Sequence, residues 1–179
     1  MAIDGTKIID SDEGWDIYHF VVEDYKNGED IQKIYQKILS EANNFCTNEL
    51  HMEIYWTAVA YSLWKIGHLT EDIKERALKI ISTGASDTWL EYFDEKSKKS
   101  RQKQLEKLAV QLQSENLKPI KPYKPRKIPL IPLFEKGDVL VVKMEQGYGA
   151  CLVFVVDQTP RKIEYHLICT RLYKILYRL

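Results

Sequence analysis

Catalysis and metal binding need polar side chains that converge, and in this chain the reactive residues are thinly spread. The four histidines, His19, His51, His68 and His166, include no pair four residues apart and no neighbouring cysteine at ligand spacing, so no metal-binding motif is written in the sequence. His51-Met52-Glu53 matches the His-x-Glu half of a zinc deaminase signature, but the Pro-Cys-x-x-Cys half is missing. The pair reads more simply as the polar N-terminal turn of a buried helix. There is no nucleophile elbow, P-loop or dinucleotide-binding glycine pattern. Gly147-Tyr148-Gly149 lies between two strand-like runs, which suits a hairpin or bulge better than a phosphate loop. Asp10, Asp12, Glu13 and Asp16 lack the glycine-centred loop of a calcium site and fit helix capping and the helix dipole instead. Cys46, Cys151 and Cys169 are odd in number and have no redox spacing. A reducing compartment is therefore expected, with Cys151 and Cys169 acting as small apolar fillers of strands. On these residues the expectation is no catalytic residue, no metal and no cofactor; an enzyme would need a deep pocket with convergent polar groups.

The 179 residues are 45% apolar and 29% charged, a composition that excludes a disordered chain. The first residues have no signal-peptide pattern and no apolar run approaches the ~20 residues of a membrane span, so a cytoplasmic protein is expected. The formal net charge of zero hides an asymmetry. Residues 1–95 hold 19 acids against 8 bases, and residues 96–179 hold 7 acids against 18 bases. The two halves either neutralise each other or offer separate charged surfaces to a partner. The best acidic candidates are Asp12, Glu13, Asp16, Glu23, Asp24, Glu29 and Asp30. The basic candidates are Lys96, Lys98, Lys99, Arg101, Lys103, Lys121, Lys124, Arg126 and Lys127. Arg161, Lys162, Tyr165, Arg171, Tyr173, Lys174 and Arg178 could extend the basic set into a surface that tracks phosphates and stacks bases.

The elements that must position these residues fall into three stretches. Residues 1–113 read as a domain of about five helices. Asp10 and Glu13 form a capping-box pair before a helix whose inner side carries Trp15, Tyr18, Val22 and Tyr25 and which stops at Asn27-Gly28. Ile31, Ile34, Tyr35, Ile38, Leu39 and Ala42 make a helical stripe. Residues 48–66 are apolar nearly all round, the mark of a central helix, and Gly67 ends it. Thr70 starts the next helix, with Ile73, Ala77, Ile80 and Ile81 inside. A last helix begins at Ser86-Asp87 with Trp89, Leu90 and Phe93 inside; a break or projection is expected over 96–100 before Leu105, Leu108, Ala109 and Leu112. Residues 114–133 contain five of the six prolines and form a Pro/Lys-rich linker in an extended conformation. Residues 134–179 switch to period two, with strands over 139–144, 148–156, 163–169 and 172–179. The expected architecture is thus α+β: an N-terminal all-helical domain, a Pro-rich linker and a small C-terminal antiparallel SH3-like β module packed on it.

Several blocks resemble known proteins. Gly5-Thr6-Lys7 followed by Asp10 and Asp12 resembles the opening of a bacterial family of uncharacterised helical proteins, with Asp4 where that family has a tryptophan. Tyr55-Trp56-Thr57-Ala58-Val59-Ala60, continued by Trp64-Lys65-Ile66-Gly67-His68-Leu69, is similar to the family's central signature, and Ile81-Ser82-Thr83-Gly84 with Trp89 to its next block. Phe134, Gly137-Asp138-Val139-Leu140 and Tyr148-Gly149 resemble the start of the sheet in predicted immunity proteins of bacterial polymorphic toxin systems. The resemblance implies a non-enzymatic protein that neutralises a cognate toxin domain by shape and charge, a basic nuclease being one fit to the acidic candidates. The alternative expectation is a nucleic-acid (RNA) binding module built on the basic linker and sheet.

Overall fold

The computed structural model describes residues 2–124, 128–145, 147–159 and 161–170. The helices are α1 (Asp12–Lys26), α2 (Ile31–Phe45), α3 (Glu49–Ile66), α4 (Glu71–Thr83), a single-turn α5 (Trp89–Tyr92) and α6 (Glu95–Leu112). The strands are β1 (Val139–Met144), β2 (Gly147–Gln158) and β3 (Ile163–Thr170), which form one antiparallel sheet in the order β1-β2-β3. The protein is a mixed α+β chain with two units, Met1–Tyr123 and Lys124–Leu179.

In the helical unit, α3 has no polar face and therefore takes the centre, packed against α1, α2, α4 and α6. Leu50, Ile54, Tyr55, Ala58, Val59, Ala60, Leu63 and Ile66 are all buried. Its polar groups are satisfied from within: Thr57 donates to the Glu53 carbonyl at 2.7 Å, Ser62 donates to the Ala58 carbonyl at 2.6 Å, and the Tyr55 hydroxyl donates to the Ile38 carbonyl at 2.6 Å. Asn48 caps the helix through the His51 amide, and Gly67 ends it in the left-handed region at φ 75°. A Cβ on Gly67 would also stand 3.0 Å from the Pro119 side chain, so both backbone and space require glycine there.

Around this axis the stripes differ in phase from the sequence reading at a few positions. Ser11, not Asp10, caps α1 by accepting from the Gly14 amide. The buried line of α1 is Ile17, Val21 and Val22, which leaves Trp15 51% exposed. Tryptophan carries enough apolar surface to look like core wherever it stands, but an amphipathic ring also sits well at a rim. Leu39 and Leu90 are likewise exposed, whereas Ile34 and Ile38 carry the α2 contact. The expected break near residue 96 falls earlier, at Phe93–Asp94, because Asp94 accepts from the Ser97 amide and restarts the helix as α6. Leu105, Leu108 and Leu112 are buried along α6.

The first residues of the proline-rich stretch belong to this unit. The Asn116 side chain donates to the Trp64 carbonyl at 2.9 Å, the Ile120 amide to the Lys65 carbonyl at 2.9 Å, and the Tyr123 amide to the Lys26 carbonyl at 2.7 Å. These bonds satisfy carbonyls that the ends of α1 and α3 leave without intrahelical donors.

In the sheet unit, opposite residues of antiparallel neighbours share a face. Leu140, Cys151 and Cys169 lie on one face, and Val139, Leu152 and Ile168 on the other. Gly147-Tyr148-Gly149 begins β2 on the return side of the β1–β2 hairpin, as expected of a hairpin, while the register shift of β2 against β3 falls between Val153 and Val155. Val153 and Cys151 are buried. The Tyr165 hydroxyl accepts from the Leu133 amide at 2.8 Å and its ring meets Phe134 edge-on. The fourth strand expected over 172–179 lies outside the described residues.

Candidate functional site

The most strongly constructed polar feature is a buried ion pair in the helical unit. Glu53 and Arg101 are 2% and 1% exposed and meet at 2.8 Å from Nε to Oε1. The Glu53 carboxylate also accepts from the Trp89 indole at 3.2 Å and the Ser86 amide at 2.8 Å. Arg101 Nη1 donates to the Lys7 carbonyl at 2.7 Å, and the guanidinium lies 4.9 Å from the Trp89 ring. Burial pulls the Arg101 pKa below its ordinary value, opposed by the charge and hydrogen bond of Glu53; arginine is protonated in proteins all the same. One node thus holds the loop before α1, the middle of α3, the α4–α5 connection, α5 and α6.

A 490 Å³ cleft opens beside this node, lined by residues that include Glu49, Met52, Lys79, Thr83, Ser86 and Lys98. Both oxygens of Glu53 on its wall are engaged, and Asp87 and Lys98 on its rim pair with each other. A general base needs a lone pair aimed at substrate. Here the central carboxylate is spent on holding the fold. Among the described residues, no cluster of three or more His, Cys, Asp or Glu side chains is placed to hold a metal ion.

The acidic candidates separate into two environments. Asp12 and Asp16 are exposed on α1, with Asp12 accepting from the Ala2 amide at 2.8 Å. Glu23 pairs with Lys26 at 2.5 Å, Asp24 with Lys37 at 3.0 Å and Glu29 with Lys33 at 3.0 Å, while Asp30 caps α2 through the Gln32 amide. The Glu29–Lys33 pair is exposed and Asp24–Lys37 and Glu23–Lys26 are partly buried; exposed pairs contribute little to a fold and remain available to a partner. Glu13 is different: it is 6% exposed and neither of its carboxylate oxygens has a partner. Burial pushes its pKa up to about 7. It does not belong to the acidic surface.

The basic candidates also divide. Lys96, Lys99 and Lys103 are exposed on α6, and Lys107 continues their line at helical spacing. Lys98 turns to Asp87, and Arg101 is buried on Glu53 and is no surface group. Lys121 and Lys124 are exposed; Arg126 and Lys127, with Arg171, Tyr173, Lys174 and Arg178, lie outside the described residues. Lys162 pairs with Glu164 at 2.9 Å, Tyr165 is engaged by Leu133 and Phe134, and Arg161 is exposed.

Two features escaped the sequence reading. The ion pair joins residues 48 positions apart, but both members carry a signal. Glu53 is a charge inside the all-apolar helix, and Arg101 precedes Leu105, Leu108 and Leu112 on their own stripe. The second feature is the apolar surface of the sheet: Val141 is 71% exposed and Phe154 52%, and Val139, Met144 and Ile168 are exposed with them. Cys169, expected in the core, is exposed.

No helix among the described residues is long and apolar enough to cross a membrane. No family model, no curated protein and no solved structure matches this chain.

Proposed function

We propose that the chain is a non-enzymatic bacterial interaction protein of the immunity, or antitoxin, type, which binds and neutralises a cognate toxin domain in the cytoplasm. The observation that carries this reading is the exposed apolar surface of the sheet, where Val139, Val141 and Ile168 stand open to solvent. Contiguous apolar surface of this kind is characteristic of proteins that bury it against a partner. The acidic row of Asp12, Asp16, Glu23, Asp24, Glu29 and Asp30 sets the sign of that partner, since matched fields speed encounter and favour the right complex. In the same reading the three strands are part of a small SH3-like module tethered by the Pro/Lys-rich segment. The test is co-expression with the toxin domain encoded beside the gene. Cells carrying both grow, and cells carrying the toxin with Asp16→Lys/Asp24→Lys chain grow less well. Toxicity unchanged by the wild-type chain rejects the proposal.

A second reading is favoured by the line of Lys96, Lys99, Lys103 and Lys107 on α6, a ridge suited to a nucleic-acid backbone. If these four groups each neutralise one phosphate of single-stranded RNA, log affinity falls with log salt at a slope of about −3. Fluorescence anisotropy over a salt series measures this slope; no binding, or binding insensitive to salt, removes the reading.

A further inference from the structure

We propose that Cys151 and Cys169 are a reversible dithiol site: under a disulfide oxidant of the glutathione class they close a cross-strand bond that staples β2 to β3. The inference is independent of the toxin-binding proposal and rests on the geometry of the sheet unit. The two residues are directly opposed in the β2–β3 register, so their side chains emerge on one face. Opposed residues of antiparallel strands have Cα atoms about 4.5–5.5 Å apart, within the range a disulfide spans. Their sulfurs stand 2.9 Å apart as two free thiols in contact. Closing the bond shortens this separation to about 2.05 Å.

The pair is also asymmetric in the way thiol exchange requires. Cys169 is exposed and can meet a soluble disulfide, whereas Cys151 is 8% exposed and cannot. The hydrogen bond to Cys169 raises the Cys151 pKa, which suits Cys151 to the role of resolving thiol. The remaining cysteine, Cys46, is half-buried at the end of α2, and burial raises its pKa as well, which lowers its thiolate fraction.

The chemistry balances in two exchanges. The Cys169 thiolate attacks one sulfur of glutathione disulfide, forming a mixed disulfide and releasing one glutathione thiolate. Cys151 then gives up its proton and its sulfur attacks the Cys169 sulfur, which expels the second glutathione thiolate. Two protein thiols lose two electrons, the oxidant gains them, and the two thiol protons end on the two glutathione molecules. The product locks the pairing of strands whose outward residues, Leu167 and Ile168, are themselves exposed.

The test equilibrates the full-length Cys46→Ser chain with glutathione at graded ratios of disulfide to thiol, followed by acid quench, intact mass and peptide mapping without reduction. The expected product has lost two hydrogens and both free thiols, links the Cys151 and Cys169 peptides, and returns to the dithiol with excess glutathione. Cys151→Ser is expected to stop at glutathione on Cys169, and Cys169→Ser to remain unmodified under the same conditions. Two free thiols persisting at every ratio overturn the proposal. So does glutathione retained on Cys169 of the Cys46→Ser chain without closure. Both readouts on that chain stand even if a serine at 151 or 169 disturbs the sheet.

Discussion

The helical unit and the sheet unit solve the problem of apolar surface in opposite ways. In the helical unit a helix with no polar face is wrapped on its several sides, and among the buried polar side chains Glu13 stands out with neither carboxylate oxygen partnered. In the sheet unit the apolar side chains stand on both faces of three strands, and among the described residues only Cys151 and Val153 of these are buried. One region of the chain spends its hydrophobic residues on its own core, and the other carries many of them exposed.

The largest effect is expected at the buried Glu53–Arg101 pair of the helical unit. Arg101→Ala or Glu53→Ala strands a charge in the interior and is expected to lower the unfolding free energy by about 3–5 kcal/mol in denaturant titrations. The joint replacement Glu53→Gln/Arg101→Met is expected to lose less than the two single losses together, since neither charge is then left alone. A single-variant loss below about 1 kcal/mol would mean that water reaches the pair in solution.

Glu13 gives a smaller effect that depends on pH. Its folded pKa is about 7 against an ordinary 4.5, so between these values the folded chain holds a proton that the unfolded chain has released. Stability therefore falls as pH rises through that window and is lowest above it. Cys46 and Tyr55 face the same carboxylate and feel its charge. Glu13→Gln removes the ionisation and is expected to be more stable than wild type by up to about 3 kcal/mol at pH 8, with the gap closing towards pH 4.5. Parallel unfolding titrations of the two chains across this range give the answer; a gap that does not change with pH contradicts the burial of an ionisable, unpartnered group.

The smallest effect is expected where the sheet is exposed. Val141→Thr and Ile168→Thr should shift stability by less than about 0.5 kcal/mol, as exposed positions do. A loss above about 2 kcal/mol, the scale of a truncated core residue, would show that these side chains are covered in solution and would erase the contrast between the two units.

Most of the helical framework was legible in the sequence because it follows local rules. The apolar run and Gly67 delimit α3, Thr70 and Gly84 bracket α4, and Leu105, Leu108 and Leu112 keep one phase along α6. The failures have physical causes. Trp15 looks like core because its size suggests burial, while Ile17 and Val21 set the true phase of α1. Glu13 looked like a surface acid because nothing local distinguishes a first-turn carboxylate that faces solvent from one turned inward. The Glu53–Arg101 node depends on a contact between distant segments, and composition had placed Arg101 in a basic surface run. In the sheet, alternation locates the strands but not which faces are covered, so Cys169 looks like a core filler and is exposed.

The proposed binding of a toxin domain is decided by calorimetric titration of the full-length chain with a toxin domain encoded beside its gene. A saturable one-to-one complex is predicted, weakened by Val141→Thr and by Asp16→Lys/Asp24→Lys in a chain whose stability is unchanged. No heat of binding, with toxin activity the same in the presence and absence of the chain, contradicts it.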